Sequence, residues 1–299
     1  MRGERGLIMQ FFEHVPHILW HGLHDALKLL PFLFLTYLLM ELLEHKAGER
    51  VESAIVKAGR AGPAVGALLG LIPQCGFSSA LAGFYAGRLV TPGTLLAVFL
   101  ATSDEMLPIF ISAEGVSAGQ ILTVLGLKLA IALAVGFVAD LLLQKHIQKP
   151  HLEELCEDSR CHCEKGILRS ALYHTLQIFL FVLVINVILT GAFELIGEEA
   201  ISQAINCVPI LGVLISAVIG LIPNCAASVV IATLWTKGLI TGGAMLAGLL
   251  TGAGTGLLVL FRTNKGWKEN LQLLLVLLCC GLLFGCLLDL TGLAGLMNL

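Results

Sequence analysis

Long apolar runs with few polar interruptions fill most of this chain. Residues 29–43 and 271–290 are continuous stretches of this kind, and short polar links separate the remaining apolar blocks. A membrane-spanning helix needs about 20 apolar residues, whereas the strands of an outer-membrane barrel alternate apolar and polar positions. The pattern therefore predicts an all-α polytopic membrane protein with about ten transmembrane or half-membrane helices.

Composition narrows the class of protein further. The 299 residues are 57% hydrophobic and 13% charged, and the mean hydropathy is +0.90, whereas about a quarter of a soluble domain is charged. The net charge of −3 gives no basic footprint for nucleic acid. We expect a multi-pass protein of the bacterial inner membrane, in contact with the lipid bilayer, without a nucleic-acid partner or a cofactor. The sequence leaves a homo-oligomer open.

The sequence is repeated at an offset of 150 residues. Gly-Leu-Ile-Pro-Gln-Cys at 70–75 recurs as Gly-Leu-Ile-Pro-Asn-Cys at 220–225, and Leu-Val-Thr at 89–91 recurs as Leu-Ile-Thr at 239–241. Agreement at one shift over such a distance is improbable by chance. We therefore predict two related halves of five segments each.

The placement of Lys and Arg predicts how the halves are oriented. Residues 44–60 hold four basic side chains and the equivalent 194–210 hold none, whereas 112–119 hold none and 262–269 hold three. Because basic residues gather on cytoplasmic loops, equivalent loops face opposite sides of the membrane. This is the expectation for two inverted repeats of five helices, with both chain ends outside.

These patterns divide the chain into four parts. They are an amphipathic, His-rich N-terminal helix at 1–25, a first five-helix repeat at 26–142, a cytoplasmic His/Cys/acidic loop at 143–169, and a second five-helix repeat at 170–299.

Helix breaks are predicted where the repeated motif carries proline. Pro73 and Pro223 each lie between apolar half-segments, where proline removes a backbone donor and clashes with the preceding turn. Broken helices at corresponding positions of inverted halves indicate a transporter ion site at the repeat interface, although a simple proline kink is the alternative. The polar side chains beside the breaks are Gln74, Cys75, Ser78, Ser79, Asn224, Cys225 and Ser228.

The fourth block of the first half carries two adjacent acids in an apolar run. Thr102-Ser-Asp-Glu105 has apolar residues on both sides, and an intramembrane acid is expensive enough to indicate function. We predict that Asp104 and Glu105 bind an ion, with Ser103 beside them, unless this block ends early and the acids lie in a loop. The second half has Gly254 and Thr255 at the equivalent positions, so the predicted site is asymmetric.

The predicted ligands are of two chemical kinds, so the sequence leaves the identity of the transported ion open. Carboxylate and amide oxygens at Asp104, Glu105, Gln74 and Asn224 favour a divalent cation such as manganese. The thiols of Cys75 and Cys225 favour instead a thiophilic species such as arsenite or an organoarsenical. We predict Asp104, Glu105, Cys75 and Cys225 as metal ligands, with Ser78, Ser228 and Thr255 near the ion.

Two further clusters could collect metal outside the predicted core. One face of the N-terminal helix and part of the central loop supply imidazole, thiol and carboxylate groups, although an amphipathic helix and a solvated linker explain them equally well. Their members are His17, His21, His24, Asp25, His151, Cys161, His162 and Cys163.

The duplicated Leu-Ile-Pro-Gln-Cys75 and Leu-Ile-Pro-Asn-Cys225 motifs, together with Thr102-Ser-Asp-Glu105-Met-Leu-Pro, support a family assignment. The chain resembles the bacterial family of ten-transmembrane-helix heavy-metal exporters, labelled arsenic efflux proteins or manganese transporters, over almost its whole length. The resemblance implies export of a metal or metalloid across the inner membrane.

Three functions remain open from the sequence. We expect a secondary transporter that works by alternating access around a midplane site and is not an enzyme. An arsenical permease using Cys75 and Cys225 is the second hypothesis. The third is an intramembrane enzyme with Asp104 as acid or base and His24 or His174 as its partner, although HExxH and GxSxG motifs are absent.

Overall fold

The protein is described from a computed structural model. It covers residues 61–72, 75–103, 106–113, 115–143, 167–196 and 209–291, with isolated positions within 20–38 and 200–205. Most of the predicted N-terminal helix lies outside the described residues. The same is true of most of the first span from residue 26 and of most of the 143–169 loop.

The described residues form helices and no strand. The first half contributes α1 (Gly62–Gly70), α2 (Cys75–Ala86), α3 (Pro92–Ala101), α4 (Met106–Ser112) and α5 (Ala118–Leu143). The second half contributes α6 (Ile167–Ile196), α7 (Pro209–Gly220), α8 (Cys225–Thr236), α9 (Gly242–Thr251), α10 (Gly256–Thr263) and α11 (Trp267–Leu290). The expected all-α fold is confirmed.

Helix bounds repeat with the sequence. Helices α2 and α3 coincide at both ends with α8 and α9 at the offset of 150 residues, and α1 and α7 end at Gly70 and Gly220. The turns that follow α2 and α8 also match, since Leu89 N–H donates to Phe84 O and Leu239 N–H to Leu234 O, each at 2.9 Å.

The predicted breaks are confirmed by where the helices end. Helix α7 ends at Gly220, Pro223 follows in a turn, and α8 begins at Cys225. Helices α1, α2, α7 and α8 have 9 to 12 residues. At 1.5 Å per residue they reach about 14 to 18 Å, roughly half of the hydrocarbon core.

Four segments of the described chain are long and apolar enough to cross a membrane. They are Pro92–Ser112, Ala118–Leu142, Gly242–Thr263 and Trp267–Leu290. The first and third are themselves interrupted, because α3 gives way to α4 after Ala101 and α9 gives way to α10 after Thr251. The protein is therefore a multi-pass membrane protein with two broken central spans.

The two broken spans occupy the centre of the molecule. Every residue of α9 and nearly every residue of α3 is buried, whereas α5 and α11 expose large leucines such as Leu122, Leu141 and Leu290. Apolar side chains exposed along outer helices suit a lipid surrounding. Helix α3 packs against α1 and α5, and α9 packs against α7 and α11.

Glycines set the distance between the central and outer helices. A Cβ on Gly136 of α5 would lie 2.9 Å from Gly93 O, and one on Gly285 of α11 would lie 2.7 Å from Gly243 O. These contacts match in the two halves, so α5 and α11 correspond at an offset of 149 residues, one less than the other helices.

The halves are interlocked through their short helices. Helix α2 of the first half packs on α10 of the second, and α8 of the second half packs on α4 of the first. Each short helix therefore lies against the broken span of the other half. The interruptions of both central spans are thus at the interface between the halves.

Candidate ion site at the helix breaks

The first central span is interrupted after Ala101, and this interruption is called the first break. It exposes backbone groups inside a buried segment. Thr102 leaves the helix with φ −48° and ψ 124°, while its N–H and its hydroxyl both donate to Val98 O. The Ser103 hydroxyl donates to Ala101 O at 2.8 Å, and both side chains are buried. The local hydrogen bonds thus hold the chain open at Thr102 and Ser103.

A buried lysine from α5 reaches this break. The side chain of Lys128 is fully buried, and its ammonium donates to Thr102 O and, at 2.9 Å, to Leu249 O. Thr102 is the C-cap of α3, and Leu249 lies in the last turn of α9, where carbonyls have no helical partner. The ammonium therefore joins the C-terminal ends of the two central helices, which carry partial negative charge.

The second central span is interrupted after Thr251, and this second break is formed by glycine, alanine and threonine residues. Gly254 adopts a left-handed conformation with φ +55°, and the fully buried Thr255 is the N-cap of α10. The Thr255 hydroxyl shares a 2.9 Å hydrogen bond with the Ser79 hydroxyl of α2. A Cβ on Gly256 would lie 2.9 Å from the Ser78 Cβ, so the start of α10 and the middle of α2 touch across the interface.

The second proline motif forms a capped helix start. Asn224 is the N-cap of α8, and its Oδ1 accepts from Ala226 N–H at 3.0 Å. Cys225 is a buried cysteine in the first turn, and the Ser228 hydroxyl donates to the Cys225 carbonyl at 2.8 Å. Asn224 and Ser228 thus satisfy backbone groups at the start of this helix.

The structure brings several predicted site residues together. Ser78 and Thr255 lie at the contact between α2 and α10, and Ser103 lies one residue from the Lys128 contact. Asn224, Cys225 and Ser228 form the start of α8, the helix that packs against α4.

Other predicted ligands lie outside the described residues. These are Gln74, Asp104, Glu105, the side chain of Cys75, and the accessory residues His17, His21, His24, Asp25, His151, Cys161, His162 and Cys163. Within the described part of the chain, three His, Cys, Asp or Glu side chains do not gather into a metal-binding group.

Lys128 was missed by the sequence reasoning. The available signal was a single lysine in the middle of the otherwise apolar run 118–139, which is as expensive in lipid as an acid and as indicative of function.

Two acids near the ends of the outer helices were also missed. Asp140 accepts from Gly93 N–H at 2.7 Å and from the Thr91 hydroxyl at 2.8 Å. Asp289 accepts at 2.8 Å from both Gly243 N–H and the Thr241 hydroxyl. Each carboxylate caps the positive N-terminal end of a central helix, so these acids stabilise the scaffold.

One ion pair connects the halves at the rim. Arg88, in the turn after α2, donates to both oxygens of Glu269 in α11, at 2.8 and 3.2 Å. Burial lowers the pKa of Arg88, but the hydrogen bond and the charge of Glu269 outweigh it and raise the pKa above its usual range. The guanidinium therefore keeps its charge at alkaline pH.

Comparison with known proteins identifies one family. Residues 17–198 match the model of the ArsP_2 family, which is described as "Putative, 10TM heavy-metal exporter". The match includes the first proline motif, the first break and Lys128. No curated protein and no solved structure is significantly similar to the chain.

Proposed function

The chain belongs to the ArsP_2 family of 10TM heavy-metal exporters, and on this premise we propose that it exports a divalent cation such as manganese through the first helix break. Asp104 and Glu105 bind the cation, and the two halves move against each other around it. The cell's inner membrane is the proposed location, with residues 143–169 on the cytoplasmic side.

The first break is the observation that carries this proposal. The central span is interrupted between Ala101 and Met106, and the four residues of the interruption are Thr102-Ser-Asp-Glu105. Backbone that leaves the helix inside a membrane protein occurs where it is buried in protein or lines a cavity, and such breaks bind ions in transporters. A charged lysine at the same break marks it as polar.

Charge favours a cation as the cargo. Asp104, Glu105 and Lys128 together carry a formal charge of −1, whereas their counterparts in the second half, Gly254, Thr255 and Leu277, carry none. Oxygen donors of the carboxylate type suit manganese or another hard divalent ion. The serine and threonine hydroxyls near the interface add weaker oxygen donors.

Alternating access requires contacts between the halves that can be exchanged. The described polar contacts between the halves include the Ser79–Thr255 hydroxyl pair, the Lys128–Leu249 bond, and the Arg88–Glu269 ion pair at the rim. Glu269 is the last residue of the segment 262–269, whose three basic residues assign it to the cytoplasmic side. We propose that the ion pair closes the cytoplasmic end of the pathway.

A second candidate function uses thiols. Cys225 is buried at the start of α8, at the end of the proline motif of the second half. With Cys75 at the equivalent position of the first half, it supplies soft ligands for arsenite or an organoarsenical. In that case the acids of the first break are dispensable.

Element analysis of cells separates the two functions. An exporter-deficient bacterium expresses the wild type, Asp104→Asn, Cys75→Ser or Cys225→Ser under separate manganese, zinc and arsenite loads, and cellular metal and arsenic are measured by mass spectrometry. Asp289→Asn serves as the control for loss of an acid elsewhere in the protein. We expect the wild type to lower manganese or zinc, Asp104→Asn to abolish this effect, and the cysteine variants and the control to retain it.

A fall in arsenic that is lost with Cys75→Ser or Cys225→Ser, but retained in Asp104→Asn, would instead establish the thiol mechanism. Unchanged content of every element, with the protein present in the membrane, would contradict both.

A further inference from the structure

A charged lysine in the middle of a membrane helix has to be stabilised by the protein around it. Moving a charged side chain to the centre of a bilayer is expensive, and Lys128 is fully buried. Its ammonium is stabilised by backbone carbonyls, those of Thr102 and Leu249, which come from different halves of the protein.

These carbonyls form the kind of site that binds a metal cation. The C-terminal ends of broken helices present carbonyl oxygens and partial negative charge, and transporters use such ends to coordinate monovalent cations. Here two helix ends, those of α3 and α9, converge on one point, and a side-chain ammonium occupies it.

The position of the second half that corresponds to Lys128 carries no charge. Asp140 and Gly136 correspond to Asp289 and Gly285 at the offset of 149 residues, because each pair makes matching contacts with a central helix. The same offset pairs Lys128 with Leu277, which is also fully buried. A leucine therefore serves for packing at this position, and the lysine is an addition of the first half.

We propose that the Lys128 ammonium is a tethered substitute for a bound monovalent cation, occupying a carbonyl site between the C-terminal ends of α3 and α9. The protein thereby holds the two central helices together without binding sodium or potassium at this point. Removing the side chain down to Cβ opens a cation site there. The proposal concerns stability and binding, and it stands whether or not the cargo is a divalent metal.

The test compares thermal unfolding of detergent-purified variants in different salts. Lys128→Ala leaves room and the two carbonyls, while Lys128→Met fills much of the same space without charge. Leu277→Ala is the matched control in the second half. Each protein is melted in sodium, potassium, ammonium and choline chloride at equal ionic strength, choline being too large to enter.

We expect the melting temperature of Lys128→Ala in sodium, potassium or ammonium chloride to exceed that in choline chloride. The expected difference is about 3 °C or more when the salt is at about ten times its dissociation constant. The wild type, Lys128→Met and Leu277→Ala should melt at the same temperature in all four salts. A lysine with a purely structural role would not give this result, because a small cation would then not raise the melting temperature of Lys128→Ala.

Three results would overturn the proposal. The first is a Lys128→Ala protein equally stable in all four salts. The second is one that stays unfolded in every salt. The third is an equal rise in melting temperature for all four proteins, since that would be a general salt effect.

Discussion

The breaks of the two central spans share a scaffold and differ in chemistry. In both halves a ten-residue helix begins at a threonine cap, receives an aspartate from the neighbouring outer helix and ends before a four-residue interruption. The first interruption is Thr-Ser-Asp-Glu, with Lys128 against it, and the second is Gly-Ala-Gly-Thr, in a half where Leu277 is the counterpart of Lys128. Duplication has preserved the packing, and the charged groups are confined to one copy.

The largest effect is expected from transferring the lysine to the second half. Leu277→Lys places an ammonium where the scaffold packs leucine, and a central lysine costs about 3 kcal/mol in a membrane helix. We expect the free energy of unfolding in lipid to fall by about that amount, as measured by denaturant titration of the reconstituted protein. Leu277→Met is the control, with a loss below about 1.5 kcal/mol. Wild-type stability of Leu277→Lys would show that the second break can also hold a cation.

The aspartate caps should behave alike in the two halves. Asp140→Ala and Asp289→Ala each leave a backbone N–H of a central helix without its acceptor, at a cost of about 2 kcal/mol. The loss should be larger for Asp140, because its bond from Gly93 N–H is buried, whereas the equivalent bond from Gly243 N–H to Asp289 is only partly buried. Thermal unfolding measures both. Metal export per folded molecule should stay at the wild-type level, and its loss would give these acids a role in transport.

The hydroxyl pair between the halves has a smaller expected contribution. Ser79→Ala and Thr255→Val each remove one partner of a buried hydrogen bond, and a double-mutant cycle should give a coupling of about 1 kcal/mol. Ser228→Ala is the control, since its hydroxyl bonds a carbonyl of its own turn. Additive effects of the two substitutions would mean that the pair does not hold the halves together.

The smallest effect concerns the turn that carries the rim ion pair. Arg88 has φ +58°, a conformation that strains any side chain, and its counterpart Gly238 has φ +68°. Arg88→Gly loses a pair worth about 0 to 1 kcal/mol but relieves strain, so its stability should lie within about 0.5 kcal/mol of the wild type.

Arg88→Ala retains the strain and should be about 1 kcal/mol less stable than Arg88→Gly. Thermal unfolding of the two variants tests this difference. A glycine variant less stable than the alanine variant would contradict it.

The helices and their breaks could be predicted from sequence because their causes are local. Apolar runs set the segments, proline at 223 follows the end of a helix, and the 150-residue repeat supports the assignment of the short helices and the central helices twice. The contact between Ser79 and Thr255 could not be predicted, because it depends on how α2 packs against the other half.

The role of Lys128 was hidden for a related reason. The two carbonyls that it contacts belong to residues 26 and 121 positions away, so only the packing of α5 against α3, with the lysine reaching α9, reveals these contacts. The outer helices also correspond at 149 rather than 150 residues, which pairs Asp140 with Leu290 in a comparison at a single shift. A one-residue difference in the links before α5 and α11 therefore concealed the duplicated caps.

Manganese flux through purified protein in liposomes tests most directly whether the first break carries the cation. The wild type is compared with Asp104→Asn, which changes the acid of the first break, and with Asp289→Asn, which changes an acid of the scaffold. We predict manganese flux in the wild type, loss of at least tenfold in Asp104→Asn, and near wild-type flux per folded molecule in Asp289→Asn. Equal flux in the wild type and Asp104→Asn would contradict the account.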